Sequence, residues 1–192
     1  MTTLAQKIVA VHAALDEAGV PHAFGGALAL AFHVAEPRAT RDIDLNVFVA
    51  PSAVRDVFDV LPAEIARGPA DERAVEDAGQ VRLFWDDNPV DLFFSTHPFH
   101  AEAATRVEHV PFAGIEIPVL GATELAVLKA FFDRTKDWAD IEEMLRTEAI
   151  DVHRVLGWLV DLLGHADHRV ARFEALLDER PAEDAPRFEP PG

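Results

Sequence analysis

The sequence contains no cysteine in its 192 residues. This absence excludes disulfide bonds, zinc sites built on thiolates and thiol nucleophiles, and it suits the reducing cytoplasm in which we expect the chain to act. The sequence also has no apolar run long enough to span a bilayer. No basic segment followed by an apolar one marks a secretory signal at the N-terminus. We therefore expect no membrane association.

Basic residues are scarce, with 17 lysines and arginines against 34 aspartates and glutamates, so the formal net charge is −17. Such a chain repels a long nucleic acid duplex unless its basic side chains cluster locally. Carboxylate oxygens are at the same time the ligands that hard divalent cations prefer. The composition therefore favours a substrate that is a small molecule, a metal complex or a compact acceptor.

The apolar pattern indicates a globular chain with a hydrophobic content of 49%. A helical pattern comes first, mixed strand and helix patterns follow, and the pattern is wholly helical after about residue 120. This order predicts an α+β fold with a mixed sheet and flanking helices in residues 1–120 and a C-terminal helical bundle in residues 121–180. The acidic, proline-rich residues 181–192 are expected to be a disordered tail.

Three features that can carry chemistry lie between residues 23 and 95. The first is the pair Gly25-Gly26, between an extended segment and a helix, where glycine lets a backbone approach a phosphate closely. The second is Asp42-Ile43-Asp44 in a β-branched run. Alternate strand residues share a face, so burial of the intervening isoleucine places both carboxylates together on the other face. The third is Asp91, in the short apolar segment VDLFFS.

Each feature also has an ordinary structural interpretation. A glycine pair is most often only a turn, and an aspartate after a turn often only begins a strand. Two aspartates on one strand face are harder to explain in that way, because like charges repel and each needs solvent or a partner. Divalent cations between the carboxylates would offset the repulsion. If the strand of Asp91 pairs beside that of Asp42 and Asp44, three carboxylates surround one metal site.

Together, FGGALAL, TRDIDLNVFV and VDLFFS resemble the motifs of the polymerase-β-like nucleotidyltransferase superfamily, in which a glycine pair opens a helix, D-x-D lies on a strand and a third acid lies on a neighbouring strand. The string GGALALAFHVAEPRATRDIDL is especially similar to the small bacterial AbiEii/MenT-type nucleotidyltransferases, known as toxins of toxin–antitoxin pairs. The resemblance implies a nucleotidyltransferase fold in residues 1–120. It also implies transfer of a nucleoside monophosphate from a nucleoside triphosphate (NTP) to an acceptor.

The resemblance further implies roles for individual residues. Asp42 and Asp44 would hold Mg²⁺, or Mn²⁺, on the NTP, and Asp91 would complete the metal site and help to deprotonate the attacking hydroxyl. Gly25 and Gly26 would cradle the triphosphate. Many relatives have Gly-Ser at this pair, so this chain lacks one hydroxyl contact to phosphate, which affects the expected nucleotide affinity.

The helical half contains a further match, in TELAVLKAFFDRTKDWADIEEML. Lys129 stands among apolar residues, and a buried ammonium without a partner is costly, so it either reaches solvent beside helix-capping aspartates or faces an anion. AbiEii-like proteins carry such a lysine, followed by a stretch matched here by Arg134, Lys136, Asp137 and Asp140. The resemblance implies that Lys129 touches the triphosphate, and that Asp137 or Asp140 orients it or binds the acceptor.

Other polar residues near the motifs have weaker interpretations. Arg38 and Arg41 flank the D-x-D strand and are candidate nucleotide-binding residues, with solvated charges as the alternative. The histidines of HPFH are interpreted as loop residues rather than base-stacking groups. Those of HADH are interpreted as a helix start rather than a metal-binding pair.

Three functions are compatible with these motifs. In the first, the acceptor is the tRNA 3′ end, as in the toxin-like relatives, and an antitoxin is a partner; the net charge then requires Arg38, Arg41, Arg134 and Lys136 to gather at the mouth of the site. In the second, the chain modifies a small molecule of the aminoglycoside kind, a cation that suits an acidic cleft. In the third, it is an inactive binding module, against which the presence of all three acids counts.

Overall fold

The computed structural model describes residues 2–36 and 39–178. The elements in these ranges are α1 (Leu4–Glu17), β1 (His22–Phe24), α2 (Gly26–Leu30), β2 (Ile43–Val47), a 3₁₀ turn (Pro51–Ala53), α3 (Val54–Val60), β3 (Ile65–Ala66), α4 (Pro69–Ala78), β4 (Gln80–Trp85), β5 (Asn88–Phe94), α5 (Pro98–Thr105), β6 (Glu108–Phe112), β7 (Ile115–Val119), α6 (Ala122–Phe132), α7 (Thr135–Arg146), α8 (Val152–Leu163) and α9 (His168–Asp178). The predicted fold class is confirmed. Arg38 and the predicted tail, residues 181–192, lie outside the described residues.

The strands form one mixed sheet in the order β3-β4-β5-β2-β1-β7-β6. Strand β1 lies antiparallel to β2 and parallel to β7, whereas β2 lies parallel to β5. The hairpins β4–β5 and β6–β7 extend the sheet on its two sides. The two strands that carry the predicted acids are therefore neighbours near the centre of the sheet.

The register of β2 against β5 decides which side chains share a face. It pairs Asp44 with Asp91, and side chains alternate between the two faces along each strand. Ile43 and Leu45, on either side of Asp44, are fully buried in the core, so a slip of one residue would expose them. The sheet consequently presents Asp44 and Asp91 next to each other.

Local signals explain where α1 begins and ends. The Thr3 hydroxyl accepts a hydrogen bond from the Gln6 backbone N–H at 3.3 Å, and the Gln6 side chain accepts one from the Thr3 N–H at 2.9 Å. This reciprocal pair satisfies two N–H groups that have no partner within the helix. After α1, Gly19 adopts φ +67°, a conformation that favours glycine and stops the helix.

The helix after the glycine pair ends at Leu30, because the following N–H groups of Phe32 and His33 bond to carbonyls only three residues back, at 3.0 and 2.9 Å, and tighten the chain into turns. One element prediction is wrong. HPFH, expected to be a loop, begins α5. The His97 side chain accepts from the Phe99 N–H at 3.2 Å, and the proline between them suits the first helical position.

Helix α6 connects the sheet-bearing part to the C-terminal helices. It packs against α2, α7 and α8, and most of its side chains are buried. The division of the chain at residue 120 stays a prediction. In the described part of the chain, no helix has both the length and the apolar character that crossing a bilayer requires.

Candidate active site

Three carboxylates lie at the junction of β2 and β5. Asp44 and Asp91 are register partners, and Asp42 precedes Asp44 by two residues, just before β2 begins. Burial raises the pKa of Asp44 above its ordinary value, and the negative charges of Asp91 and Asp42 raise that pKa further. A cation placed here would relieve this repulsion, which is the condition under which divalent ions bind carboxylate clusters.

Arg82 is a site residue that sequence reasoning missed. It lies opposite Asp91 in the β4–β5 hairpin, and its Nε and Nη2 each donate to one Asp91 oxygen at 2.7 Å. This bidentate pairing raises the pKa of Arg82 above its ordinary value. The signal was available, because a two-residue turn at Asp86-Asp87 places position 82 opposite position 91.

The pairing with Arg82 explains why the three acids do not form a ready-made metal site. In the described residues, no three histidine, aspartate or glutamate side chains are arranged around one point as metal ligands. Both oxygens of Asp91 are engaged by Arg82, whereas no arginine or lysine among the described residues donates to Asp42 or Asp44. A divalent ion would therefore be held first by Asp42 and Asp44.

The glycine pair lies directly against Asp44. The Gly25 N–H donates to the Asp44 carbonyl at 2.8 Å. Gly26 has φ +55°, and a Cβ on it would lie 1.8 Å from the Asp44 Oδ2. No side chain fits at Gly26, because the Asp44 carboxylate packs directly against its backbone. The role of the pair toward phosphate stays a prediction.

Asn46 is the next residue on the face of β2 that carries Asp44. It is 2% exposed, and its Oδ1 accepts no hydrogen bond from any described residue. Leaving such an oxygen without a donor costs about 1–3 kcal/mol. Together with Gly26, Asp44 and Lys129, it lines a cavity of about 30 Å³. Sequence reasoning missed it, although the spacing D-x-D-x-N puts it on the same face.

Lys129 is buried rather than a surface lysine. Its Nζ donates to Asp140 at 2.6 Å and lies 3.7 Å from Asp137. Asp137, which is fully buried, also accepts from Arg134 at 2.5 and 3.1 Å. Lys129 and Arg134 are close enough to Asp44 to lower its pKa, an effect smaller than the three that raise it. The two aspartates thus hold two cations beside the carboxylate cluster.

A family model described as the nucleotidyl transferase AbiEii toxin of Type IV toxin–antitoxin systems matches residues 9–190. The chain belongs to the AbiEii family. It is accordingly a nucleotidyltransferase, and the match covers the sheet, the carboxylate cluster and the C-terminal helices together. Among curated proteins, none is significantly similar to this chain.

Solved structures show that the fold of this AbiEii-family chain is shared with other nucleotidyltransferases. ANT(2″)-Ia in complex with adenylyl-2″-tobramycin is 15% identical with a TM-score of 0.57, over 91% of this chain and 98% of that one. The solution structure of the antibiotic-resistance factor ANT(2″)-Ia is 17% identical with a TM-score of 0.54, over 92% and 95%. A nucleotidyltransferase-like protein from Paracoccidioides brasiliensis is 14% identical with a TM-score of 0.50, over 93% and 88%. Identities this low show the fold alone.

Of the four basic residues expected at the mouth of the AbiEii-family site, one lies beside the carboxylates and two are exposed. Arg134 lies beside the carboxylates, as described above. Arg41 is exposed and makes no ion pair with a described residue, although its backbone carbonyl accepts from Asn88 at 2.9 Å. Lys136 is exposed on α7, and Arg38 lies outside the described residues. Roles for Arg38 and Arg41 in nucleotide binding stay predictions.

A cavity of about 410 Å³ opens on the Asp91 side of the cluster. Two half-exposed guanidinium groups line it, those of Arg82 and Arg134, together with the rings of Phe93 and Phe132. The Arg134 guanidinium carbon lies 5.3 Å from the centre of the Phe132 ring, in cation–π contact. Asp91 is the only acid among the lining residues that the structure describes, and the two guanidinium groups are paired with Asp91 and with Asp137 behind the cavity wall.

Proposed function

We propose that the chain transfers a nucleoside monophosphate from an NTP to a hydroxyl group of an acceptor, with Mg²⁺ as the metal. The observation that carries this proposal is the pairing of Asp44 with Asp91 across β2 and β5, beside the glycine pair. Membership of the AbiEii family supports the reaction. The raised pKa of Asp44 supports a cation at this point.

Asp42 and Asp44 would hold the metal, because no arginine in the described ranges of the chain engages their oxygens. The ion would supply positive charge to the phosphate oxygens of the NTP and orient them. The backbone at Gly25-Gly26 would approach the polyphosphate beside Asp44, and the Lys129 ammonium, which lines a small cavity with Gly26 and Asp44, would attract it. Positioning and electrostatic stabilisation of this kind supply most of the acceleration in phosphoryl chemistry.

Asp91 would take the proton of the attacking hydroxyl. The acceptor oxygen would form a bond to the α-phosphorus while the bond from that phosphorus to the pyrophosphate oxygen breaks. Arg82 holds both Asp91 oxygens, so it would have to release at least one of them. The Arg82 side chain is 55% exposed, and it can swing toward an anionic group on the acceptor.

The half-exposed guanidinium groups of Arg82 and Arg134 favour an acceptor with phosphate groups, of which the tRNA 3′ end is the one implied for this family. Phosphates would pair with Arg82 and Arg134, and an unpaired base would stack on Phe132. An aminoglycoside is a polycation, and two guanidinium groups beside Asp91 would repel it. The likeness to ANT(2″)-Ia concerns the fold and does not change this argument.

A toxin role follows from the same assignment. The family description names a toxin of a Type IV toxin–antitoxin system, so the chain would act in the cytoplasm, where NTPs and tRNA are found, and an antitoxin would be its protein partner. Modification of the tRNA 3′ end would block aminoacylation, which accounts for toxicity.

Transfer from each of the four α-labelled NTPs to total RNA, with aminoglycosides in parallel reactions, tests the proposal. We expect label in small RNA, loss of at least about 100-fold in rate for Asp44→Ala because the metal is no longer held, and no change for Asp59→Ala on the exposed face of α3. Label in the aminoglycoside would show that the acceptor is this small molecule and not RNA. Label in neither pool would indicate an inactive binding module, and an unchanged rate for Asp44→Ala would contradict the site.

A further inference from the structure

Asn46 is buried in a way that packing alone does not explain. Its neighbours across the sheet are Ala23 on β1 and Phe93 on β5, and its amide nitrogen fits only because Gly25 has no side chain, since a Cβ there would lie 2.8 Å from it. An apolar residue of similar size would fill this space. The amide oxygen instead has no hydrogen-bond donor in the described part of the chain, and an unpaired buried acceptor of this kind calls for a functional explanation.

The small cavity beside Asn46 has room for one water molecule. Its volume is about 30 Å³, more than the roughly 10–15 Å³ that a cavity needs to hold a water. Asp44 and Lys129 line the same cavity. The Lys129 ammonium disfavours a metal ion inside it, because like charges repel, but it does not disfavour a water molecule. A water here would contact Asn46 on one side and lie next to a cation held by Asp44 on the other.

We infer that Asn46 is an outer ligand of the divalent cation: its Oδ1 accepts a hydrogen bond from a water bound to the metal that Asp42 and Asp44 hold. The inference rests on the proposed function. Mg²⁺ in proteins usually keeps several waters, and groups that hydrogen-bond to metal ligands orient them and strengthen metal binding. Asn46 is thus a positioning residue that sets where the hydrated ion sits along β2.

Mn²⁺ binding to the full chain without nucleotide tests this inference, because it needs no catalysis. The free Mn²⁺ signal in electron paramagnetic resonance gives the affinity, and thermal unfolding in metal-free buffer gives the stability. We expect Asn46→Leu to weaken Mn²⁺ binding by roughly 10- to 100-fold while its unfolding midpoint stays at or above that of wild type. We expect Asn46→Asp, which keeps an acceptor oxygen, to bind Mn²⁺ at least as tightly as wild type.

Thr123→Val is the matched control. It also exchanges a buried polar side chain for an apolar one of similar shape, but the Thr123 hydroxyl accepts from the Asp151 N–H at 3.0 Å. It should therefore lower the unfolding midpoint and leave Mn²⁺ affinity unchanged. Wild-type affinity in Asn46→Leu, or equal losses in the Leu and Asp variants, would overturn the inference. A wild-type chain that binds no Mn²⁺ would instead remove the metal from the proposed function, and Asn46-dependent binding without nucleotidyl transfer would leave the inference standing.

Discussion

Asp44 has charges of both signs around it, and those that oppose its ionisation are the stronger. Burial, Asp91 and Asp42 raise its pKa, and Arg134 and Lys129 only partly offset them. For an acid whose pKa is raised in the folded state, ionisation costs stability. This cost is absent below the ordinary value of 3.8 and develops as the pH rises from there through the raised value.

We predict that Asp44→Asn raises the unfolding midpoint of the metal-free protein at neutral pH, because the amide removes this cost. The gain should vanish at acidic pH, where the wild-type carboxyl is protonated as well. Thermal unfolding in EDTA across the pH range measures it, with the exposed Asp59→Asn as the control. Mn²⁺ should stabilise the wild type and not Asp44→Asn. A variant less stable than wild type at neutral pH would show that the carboxylate is satisfied within the protein.

Individual residues differ in how far the sequence predicts them. Asp44 and Asp91 stand out because a carboxylate in an apolar strand needs a partner, and the structure brings the two together. Lys129 was ambiguous, since its partner Asp140 lies in another helix and eleven positions away. Asn46 and Arg82 carry no local anomaly in the sequence. Their importance depends on which residues the sheet places beside them, which is information about pairing rather than about composition.

Elements with capping or turn signals were predictable, whereas elements shaped by long-range contacts were not. The ends of α1 and the hairpin β6–β7, with Ala113 and Gly114 both at positive φ, follow from local residues. The parallel pairing of β2 with β5 joins strands more than forty residues apart, and no local pattern specifies it. The turn between β1 and α2 depends on both kinds of information. Its glycines are a local signal in the sequence, but they are required because Asp44, on another strand, packs against them.

We predict that Gly26→Ala destabilises the protein more than Gly19→Ala. Both positions have positive φ, at +55° and +67°, which costs about 1–2 kcal/mol for a residue with a side chain. A Cβ at Gly19 meets nothing within 4 Å, whereas one at Gly26 collides with the Asp44 carboxylate. Urea unfolding measures the difference, and only Gly26→Ala should also weaken Mn²⁺ binding. Equal losses of stability in the two variants would mean that the turn can move away from Asp44.

At the scale of the molecule, the order of the sequence patterns was sufficient to predict the α+β class, while the net charge was a poor guide to the site. A charge of −17 suggests a cleft for cations. The cavity beside Asp91 is instead lined by two guanidinium groups, because the hairpin register and the α6–α7 junction bring Arg82 and Arg134 there. The negative field of the whole chain therefore favours a cationic acceptor, whereas the two arginines of the cavity favour one with phosphates. The salt dependence of the reaction distinguishes these two kinds of acceptor.

We predict that transfer to RNA depends weakly on salt. Two arginine–phosphate contacts to a single strand give a logarithmic slope of about −1.4, and screening of the repulsion between RNA and an acidic chain acts in the opposite direction. The rate should thus change by less than about tenfold between roughly 50 and 200 mM KCl. Binding of a polycationic acceptor to a chain of charge −17 would fall steeply over the same range.

A variant of Arg82, measured over the same salt range, tests whether this arginine contacts a phosphate of the acceptor. Arg82→Met should slow transfer to RNA and make the slope shallower by about 0.7, because one phosphate contact is lost. Arg55→Met removes a guanidinium that is 76% exposed and paired with Glu72 and that is not among the described residues lining this cavity, so it should leave both rate and slope unchanged. If the two variants behave alike, the cationic lining does not contact the acceptor, and only the general field of the acidic chain governs its choice.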